Sequence, residues 1–439
     1  MANYLVYGLG ISGLACANWL SKQYKVWVYD DNKKLLNDLF DKNLVANCLN
    51  VDRLDEKNLK NIDHIILSPT VRLNNRVLKL AEKLEIKVWG EFEFASQFTS
   101  APIVGITGTN GKTTTVNFLH SIFSFLGKKS HLVGNVGTPL SEVIDDIKPT
   151  DIVVAELSNF QLENSSHLSL NQAAILNIAP DHLDKYKNFD EYFLAKQNII
   201  KCANGKVLLN YDDPKLRLLG KNYAQSEFFS LSKLPKNLNG AYFDRGIIYL
   251  QKNGKHEKLC STAEFKFQGE HNLANLLVAV FLAYKSGVEV RDIEKAIPNL
   301  TLPRHRLEFV RKVNGVDYYN DSKATNLHAV MSALKNFENK SVVLLLGGSE
   351  KGEKLSGLTL PSCVISVVAF GKLGKRIHKV LKGKLCVKWY KHLFDAVGYA
   401  TKIAPAGSVV LLSPGGASFD EFSSYAERGE YFCELINEI

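Results

Sequence analysis

Gly105-Ile106-Thr107-Gly108-Thr109-Asn110-Gly111-Lys112-Thr113 decides how this chain is read. It follows the β-branched run Ile103–Ile106, which reads as a buried strand, and it precedes an apparent helix. A glycine loop between strand and helix rings phosphates with backbone N–H groups, while the lysine meets their charge and the threonine hydroxyl faces Mg²⁺. The loop departs from the general phosphate-loop pattern at one place. Its first glycine comes one position early, so that Ile106 stands where the pattern has glycine. Strand, two glycines, Gly-Lys-Thr and helix together still predict a nucleoside triphosphate site that uses Gly108, Thr109, Asn110, Gly111, Lys112, Thr113 and Thr114.

Outward from this loop, short apolar runs alternate with helical patterns. Tyr4–Tyr7, Val26–Tyr29 and His64–Leu67 form a first strand series, and Ile103–Ile106, Ile152–Glu156, Ala173–Ile178 and Val207–Asn210 a second. Val342–Leu346, Val364–Phe370 and Val409–Ser413 form a third. Ala241–Leu250 and Glu264–Phe267 alternate like antiparallel strands, and Asn272–Ser286 reads as a helix. The class is α/β with largely parallel sheets. Small-residue and Pro-containing breaks at Ala95–Pro102 and Asn299–Arg304 place three domains, at 1–95, 96–302 and 303–439. The expected architecture is Rossmann-like, then a central P-loop ATPase-type, mostly parallel sheet with a small antiparallel sheet, then Rossmann-like again. Polar or glycine-rich clusters follow the strands at Gly8, Ser68, Gly105, Glu156, Asn177, Gly347 and Ser413, where open α/β sheets bind ligands.

Composition narrows the classes. At 439 residues the chain is about three times the usual domain of ~150 residues. Hydrophobic residues at 46% and charged residues at 23% exclude a disordered tail or a small disulfide-stapled module. No apolar run approaches the ~20 residues of a membrane helix, and MANYLVYGLG lacks the basic and apolar regions of a secretory signal. Seven scattered cysteines without a CxxC pair fit reduced thiols in cytoplasm. The net charge is +9. Much of it lies between Lys372 and Lys391 with no acid among them, and without a recognition motif the expected role is a solvated helix face rather than nucleic-acid binding.

Several clusters carry further chemistry. Gly8-Leu9-Gly10-Ile11-Ser12-Gly13, with Asp30 and Asp31 at the end of the next strand, matches the dinucleotide fingerprint. It suits NAD, another diphosphate such as a nucleotide sugar, or a tight turn without ligand. Glu156 ends a strand beside the phosphate loop, where a metal carboxylate belongs. Asn177-Ile178-Ala179-Pro180-Asp181-His182, followed by Lys196, can hold a cation or orient phosphates, although each residue alone passes for a structural one. Asn272 and Asn275 are three apart and share a helix face. Arg306 and Lys323 suit phosphate charge, and Ser413-Pro414-Gly415-Gly416-Ala417-Ser418 is a glycine turn suited to a carboxylate.

Taken together, GTNGKT, ELSNFQL, NIAPDHLD, GEHN, LPRHR, NDSKATN and SPGGASFDEF resemble the Mur ligases, ATP-dependent amide-forming enzymes of peptidoglycan precursor synthesis. The match runs through all three expected domains in order. ELSNFQL and SPGGASFDEF look like the members that add D-glutamate to UDP-N-acetylmuramoyl-L-alanine (UDP-MurNAc-L-Ala). The resemblance implies that Gly10, Ile11, Ser12, Gly13, Asp30, Asp31 and Ser68 hold a uridine diphosphate rather than NAD, and that Asn135 and His182 meet the acyl-bearing substrate. It implies that Lys112 contacts the ATP phosphates and that Thr113 and Glu156 hold one Mg²⁺. His182 and Lys196 then serve a second Mg²⁺, with Lys196 as a carbamate formed from CO₂. Lys112, Glu156, His182 and Lys196 are the catalytic set. Asn272, Asn275, Arg306 and Asp321 would grip the nucleotide, and Lys323, Thr325, Lys351, Ser418 and Tyr425 would line the D-glutamate pocket. Three departures stand out: Thr70 where the family often has Gly, ELSNF in place of ELSSF, and Tyr425 in place of Phe.

The implied reaction activates a carboxylate as an acyl phosphate that the D-glutamate amine displaces, with the third domain expected to close over the ATP site. Small-molecule substrates, a cytoplasmic monomer, no membrane insertion and no nucleic acid complete the expectation. Rival readings are a sister ligase (L-alanine-adding, or folylpolyglutamate synthase), an NAD-dependent dehydrogenase and a non-catalytic nucleotide switch.

Overall fold

Runs such as VVLLL at 342–346 are apolar on every residue, so they must be covered on both faces, and parallel sheets flanked by helices do this. The computed structural model describes residues 2–45, 47–69, 71, 75–163, 165–181, 185–267, 269–350, 355 and 357–439. His182, Lys351 and Thr70 lie outside the described residues.

The first sheet holds β1 (Asn3–Tyr7), β2 (Lys25–Tyr29), β3 (Cys48–Asn50), β4 (His64–Leu67) and β5 (Lys87–Gly90) in the order β3-β2-β1-β4-β5, all parallel. The chain steps outward from β1 to β3 and then returns to the other side of β1, which creates a switch point between β1 and β4.

The second sheet holds β6 (Ile103–Thr107), β7 (Ser130–Gly134), β8 (Ile152–Glu156), β9 (Gln172–Ile175), β10 (Val207–Asn210), β11 (Ser226–Ser230), β12 (Gly240–Asp244), β13 (Ile247–Lys252) and β14 (Lys255–Ser261). Its order is β14-β13-β12-β11-β10-β9-β6-β8-β7. β6 therefore lies between β8 and β9, and its carboxyl end is a second switch point.

The third sheet runs β15 (Glu308–Val313), β16 (Val316–Asn320), β20 (Val409–Gly415), β17 (Val342–Gly347), β18 (Val364–Phe370), β19 (Val387–Tyr390), with only the β15–β16 pair antiparallel. Leu344, Leu345, Leu346, Val410 and Leu411 are fully buried, each worth about 1.5–3 kcal/mol relative to exposure.

The small antiparallel portion is present and continuous with the parallel strands, because β12 pairs in parallel with β11 and carries β13 and β14 onto the edge. Several expectations are corrected. Ala241–Leu250 breaks into a hairpin at Arg245 and Gly246, both at positive φ. Glu264–Phe267 is not a strand; the edge is Lys255–Ser261, and Thr262 turns back to donate its N–H to the Gly246 carbonyl. Ala173–Ile178 stops as a strand at Ile175. Gly105 lies inside β6, not beyond it.

Packing divides the chain into two compact units. One comprises Met1–Ile178, Phe193–Phe265 and Asn275–Leu300 and holds the first two sheets. The other comprises Ala179–Tyr192, Lys266–Ala274 and Thr301–Ile439 and holds the third. Within the first unit the two sheets are tied through the buried helix Glu91–Ser96. The Glu91 carboxylate accepts from the Ser141 hydroxyl at 2.6 Å and from its N–H at 3.2 Å, and Glu93 accepts from the His167 N–H. Burial pushes the Glu91 carboxyl up to about 7 against the pull of those two bonds.

Candidate functional site

The glycine loop after β6 is built by its neighbours in the sheet. Asn177, two residues beyond β9, accepts from the Asn110 N–H at 2.8 Å through Oδ1 and donates to the Asn110 carbonyl at 3.0 Å, while its own carbonyl accepts from the Thr109 N–H at 3.0 Å. One asparagine thus sets the loop at three points. Gly111 sits at φ +85°, and a Cβ there would come within 2.4 Å of Asn275 Oδ1, so glycine is required both for the backbone and for the approach. The helix Lys112–Phe125 begins at once, which brings its N-terminal N–H groups and dipole to the loop. Lys112 Nζ spans the loop, donating to the carbonyls of Gly108 at 2.7 Å and Thr109 at 2.9 Å.

Beside it, β8 ends in Glu156, which is almost fully buried. Thr113 Oγ1 donates to Glu156 Oε2 at 2.8 Å, and Asn135 Nδ2, just past β7, donates to Oε1 at 2.8 Å. A hydroxyl and a carboxylate oxygen held together are hard-oxygen donors that suit Mg²⁺, which takes one or two carboxylates and completes its shell with phosphates and water. Among the described residues no group of three or more His, Cys, Asp or Glu is assembled around a metal position. Asn275, on the helix Glu270–Lys285, accepts from Thr115 Oγ1 at 3.2 Å. Lys112, Thr113, Glu156, Asn135 and Asn275 are therefore brought together. Lys196, on the helix Phe189–Cys202, is among the most deeply buried side chains of the chain.

At the β1/β4 switch point, a Cβ on Gly13 would lie 1.8 Å from the Gly8 carbonyl oxygen, so the turn and the helix Ile11–Leu20 pack backbone to backbone. Ser68 is buried beside Gly8, and Ile11 is 81% exposed at the helix start. Asp30 braces the turn: its Oδ2 accepts from the Leu9 N–H at 2.7 Å and its Oδ1 from the Asn32 N–H at 2.8 Å. Asp31 accepts from the hydroxyls of Tyr7 at 2.5 Å and Tyr29 at 3.1 Å.

The second unit holds the remaining residues. Asp321, just past β16, is deeply buried and accepts from Ser413 Oγ at 2.7 Å. Burial pushes its carboxyl up to about 7, with the Ser413 bond and the Arg306 charge pulling it back. Lys323 Nζ lies 3.8 Å from the centre of the Tyr425 ring, a cation–π contact between two residues of the expected D-glutamate set. Ser418 is buried, and Thr325 is partly exposed next to Asn326, which caps the following helix at Ala329. Asn272 is buried near the start of the helix Glu270–Lys285. Burial, followed by the charges of Arg306 and Lys335, pushes its neighbour His271 down to about 4.

Sequence reasoning passed over Arg428. Completely buried, it donates from Nε to Ser322 Oγ at 2.9 Å, from Nη2 to the Ser322 carbonyl at 2.8 Å, and from Nη1 to the carbonyls of Gly416 at 3.2 Å and Ala417 at 2.9 Å. It staples the NDSK turn to the SPGGAS turn, and burial lowers it to about 10. The signal was present: Arg428 interrupts a stripe that continues by fours through Phe432 and Ile436. Asn177 was within a quoted motif but had no role assigned.

Comparison with known proteins follows this geometry. Residues 2–90 match the N-terminal domain of MurD-like Mur ligases, 106–283 the Mur ligase middle domain, and 305–416 the Mur ligase glutamate ligase domain. A UDP-N-acetylmuramoylalanine–D-glutamate ligase of Thermoanaerobacter sp. (strain X514) is 36% identical over 99% of this chain and 98% of its own length. The ligase of the same name from Geotalea daltonii is 35% identical over 98% and 96%. Among solved structures, a pseudomurein peptide ligase type C from Methanothermus fervidus aligns over the whole of both chains with a TM-score of 0.61 at 20% identity. MurF ligase from Thermotoga maritima, in complex with ADP, aligns over 98% of this chain and 97% of its own with a TM-score of 0.59 at 17% identity. At these identities the structures speak to the fold.

Proposed function

The chain belongs to the Mur ligase family, and from that premise we propose that it is an ADP-forming amide ligase joining D-glutamate to UDP-MurNAc-L-Ala in peptidoglycan precursor synthesis. The observation that carries the reading is the triphosphate loop with Thr113 and Glu156 hydrogen-bonded beside it, in a chain whose full-length relatives carry that activity in their names.

A carboxylate is a poor electrophile, and direct amide formation in water runs uphill. The substrate carboxylate attacks the γ-phosphorus of ATP, ADP leaves, and an acyl phosphate remains. The D-glutamate amine, once deprotonated, adds to its carbonyl carbon, and phosphate departs with the C–O bond electrons. This chain need supply no nucleophile; it supplies position and charge. Lys112 would leave the loop carbonyls to neutralise the transferring phosphoryl group. The N–H groups of the loop and the helix Lys112–Phe125 would hold the phosphates, with Asn177 keeping the loop in shape. Thr113 and Glu156 would hold one Mg²⁺, and His182 and Lys196 a second; bound metal spreads phosphoryl charge and orients the oxygens.

For Lys196, the charge its proposed role requires favours the carbamate. An ammonium repels a cation, whereas the adduct of its amine with CO₂ is an anion with carboxylate-like oxygens. Asn272, Asn275, Arg306 and Asp321 are assigned to the nucleotide. Gly10 to Gly13 and Ser68 are assigned to the uridine diphosphate, with Asp30 bracing the turn and Asp31 at its rim. Asn135 and His182 are assigned to the acyl-bearing arm, and Lys323, Thr325, Lys351, Ser418 and Tyr425 to D-glutamate, with Arg428 holding the two turns that carry Lys323 and Ser418. The domains are proposed at 1–95, 96–302 and 303–439. A cytoplasmic monomer is the accompanying proposal; among the described residues no helix is long and apolar enough to cross a membrane.

The test is phosphate release with UDP-MurNAc-L-Ala, ATP and Mg²⁺, varying the amino acid. Release with D-glutamate but not with L-alanine or L-glutamate is expected. Release with L-alanine or L-glutamate instead would move the chain to a sister activity, and nicotinamide-dependent absorbance changes would revive the dehydrogenase reading of GLGISG.

A further inference from the structure

The acid-free run between Lys372 and Lys391 is not used by the proposed reaction. It contains seven lysines and Arg376, so that the other residues of a chain with net charge +9 are close to neutral in sum. All eight basic side chains are exposed. They are gathered on three consecutive pieces, the helix Gly371–Leu381, the turn at 382–384, and β19, the edge strand of the third sheet, with Lys391 just past its end. Among the described residues, two acids meet this surface. Glu350 pairs with Arg376 at 2.9 Å, and Asp420 accepts from the Lys372 backbone N–H.

We propose that this edge of the third sheet is a docking surface for anionic phospholipid headgroups, holding the protein on a membrane surface by charge alone. Two features favour a lipid surface over nucleic acid. Seven of the eight cations are lysines, compact and strongly hydrated point charges suited to a diffuse negative plane, whereas bidentate phosphate recognition favours arginine. The aromatic rings here are covered and offer no platform for bases. Lys375 lies over Trp389 at 5.6 Å, and Lys388 lies over Tyr399 at 4.3 Å and Tyr390 at 5.5 Å. Adsorption would not involve insertion, because Leu373, Ile377 and Leu381, the apolar side of the helix, are buried in the core of the sheet.

The full chain is sedimented with large unilamellar vesicles of phosphatidylcholine, with and without about 30% phosphatidylglycerol, at about 0.05 M and 0.5 M salt. Each lysine near such a surface contributes roughly a fivefold factor in partitioning. The quadruple variant K375Q/K379Q/K382Q/K384Q should therefore bind at least about a hundredfold more weakly, while an unchanged thermal melt shows that it folds. Binding to the anionic vesicles that is lost at high salt and in the variant supports the proposal. Equal binding to neutral vesicles, equal binding by the variant, or no binding at low salt overturns it. So does tighter binding to a single-stranded RNA oligomer than to the vesicles, which would assign the surface to nucleic acid.

Discussion

The chain contains two glycine-rich turns, each following the strand at a sheet's switch point and each leading into a helix, and they spend their acidic residues in opposite ways. After β1, Asp30 is consumed by the turn itself, both carboxylate oxygens accepting backbone N–H groups. After β6, bracing falls to a neutral side chain, Asn177. The acid on the neighbouring strand, Glu156, is thereby left to meet a hydroxyl and an amide, Thr113 and Asn135. A turn braced by a carboxylate offers backbone donors and little else, which suits a diphosphate carried by a sugar. The other turn keeps an ammonium and a carboxylate beside the same kind of backbone donors, which suits phosphoryl transfer.

The contrast breaks most sharply at Lys112. Lys112→Ala should lower phosphate release on the order of 10³-fold, while affinity for the UDP-substrate, measured by calorimetry, stays within about threefold. Loss of both together would mean that the two turns do not work independently. Lys196→Ala should lose on the order of 10²-fold in rate, and millimolar acetate should restore part of it by supplying a carboxylate in place of the carbamate; full activity without acetate removes the carbamate from the account. At the first turn, Asp30→Asn leaves a backbone N–H facing an amide NH₂, a cost of about 1.5–3 kcal/mol. UDP-substrate affinity should fall about tenfold or more with the apparent KM for ATP unchanged; a shift in the ATP KM instead would contradict the division of labour.

The smallest effect is expected at Glu91, which touches neither turn but joins the sheets that carry them. Its carboxyl is raised to about 7 in the folded chain. Its contribution is therefore fully present below the ordinary glutamate value near 4.5 and is lost as pH rises through about 7, at most about 3 kcal/mol. Glu91→Gln, which keeps both acceptor contacts from Ser141 within reach of its carbonyl oxygen, should flatten the fall in melting temperature between pH 5 and 8. A variant whose melting temperature still declines by the wild-type amount would place the titrating group elsewhere.

Strands buried on both faces were legible because their signal is local. His64–Leu67, Ile152–Glu156 and Val364–Phe370 fall where the apolar runs end. Cys48–Asn50, Lys87–Gly90 and Ser226–Ser230 escaped notice. They are short and partly polar, and pairing with a neighbouring strand makes them strands. Glu264–Phe267 failed for the converse reason: alternation alone does not make a strand, and the chain turns here, the Phe265 N–H donating to the Thr262 carbonyl. At the site, Lys112 and Thr113 could be named from nine contiguous residues. For Arg428 the helix stripe showed only that a basic residue would be buried; what it holds was out of view, because its partners Ser322 and Ala417 lie 106 and 11 residues away.

Read alone, the sequence established the α/β class, the glycine loop between a strand and a helix, and the order of the motifs, since a strand, a glycine turn and a helix N-terminus are consecutive and lie within a few residues. Which acid would face which hydroxyl was a matter of strand order. Glu156 reaches Thr113 across 43 residues because β8 lies next to β6, and Asn135 joins them because β7 lies next to β8. Long-range pairing of that kind is settled by burying whole sheets at once, and no window of sequence contains it.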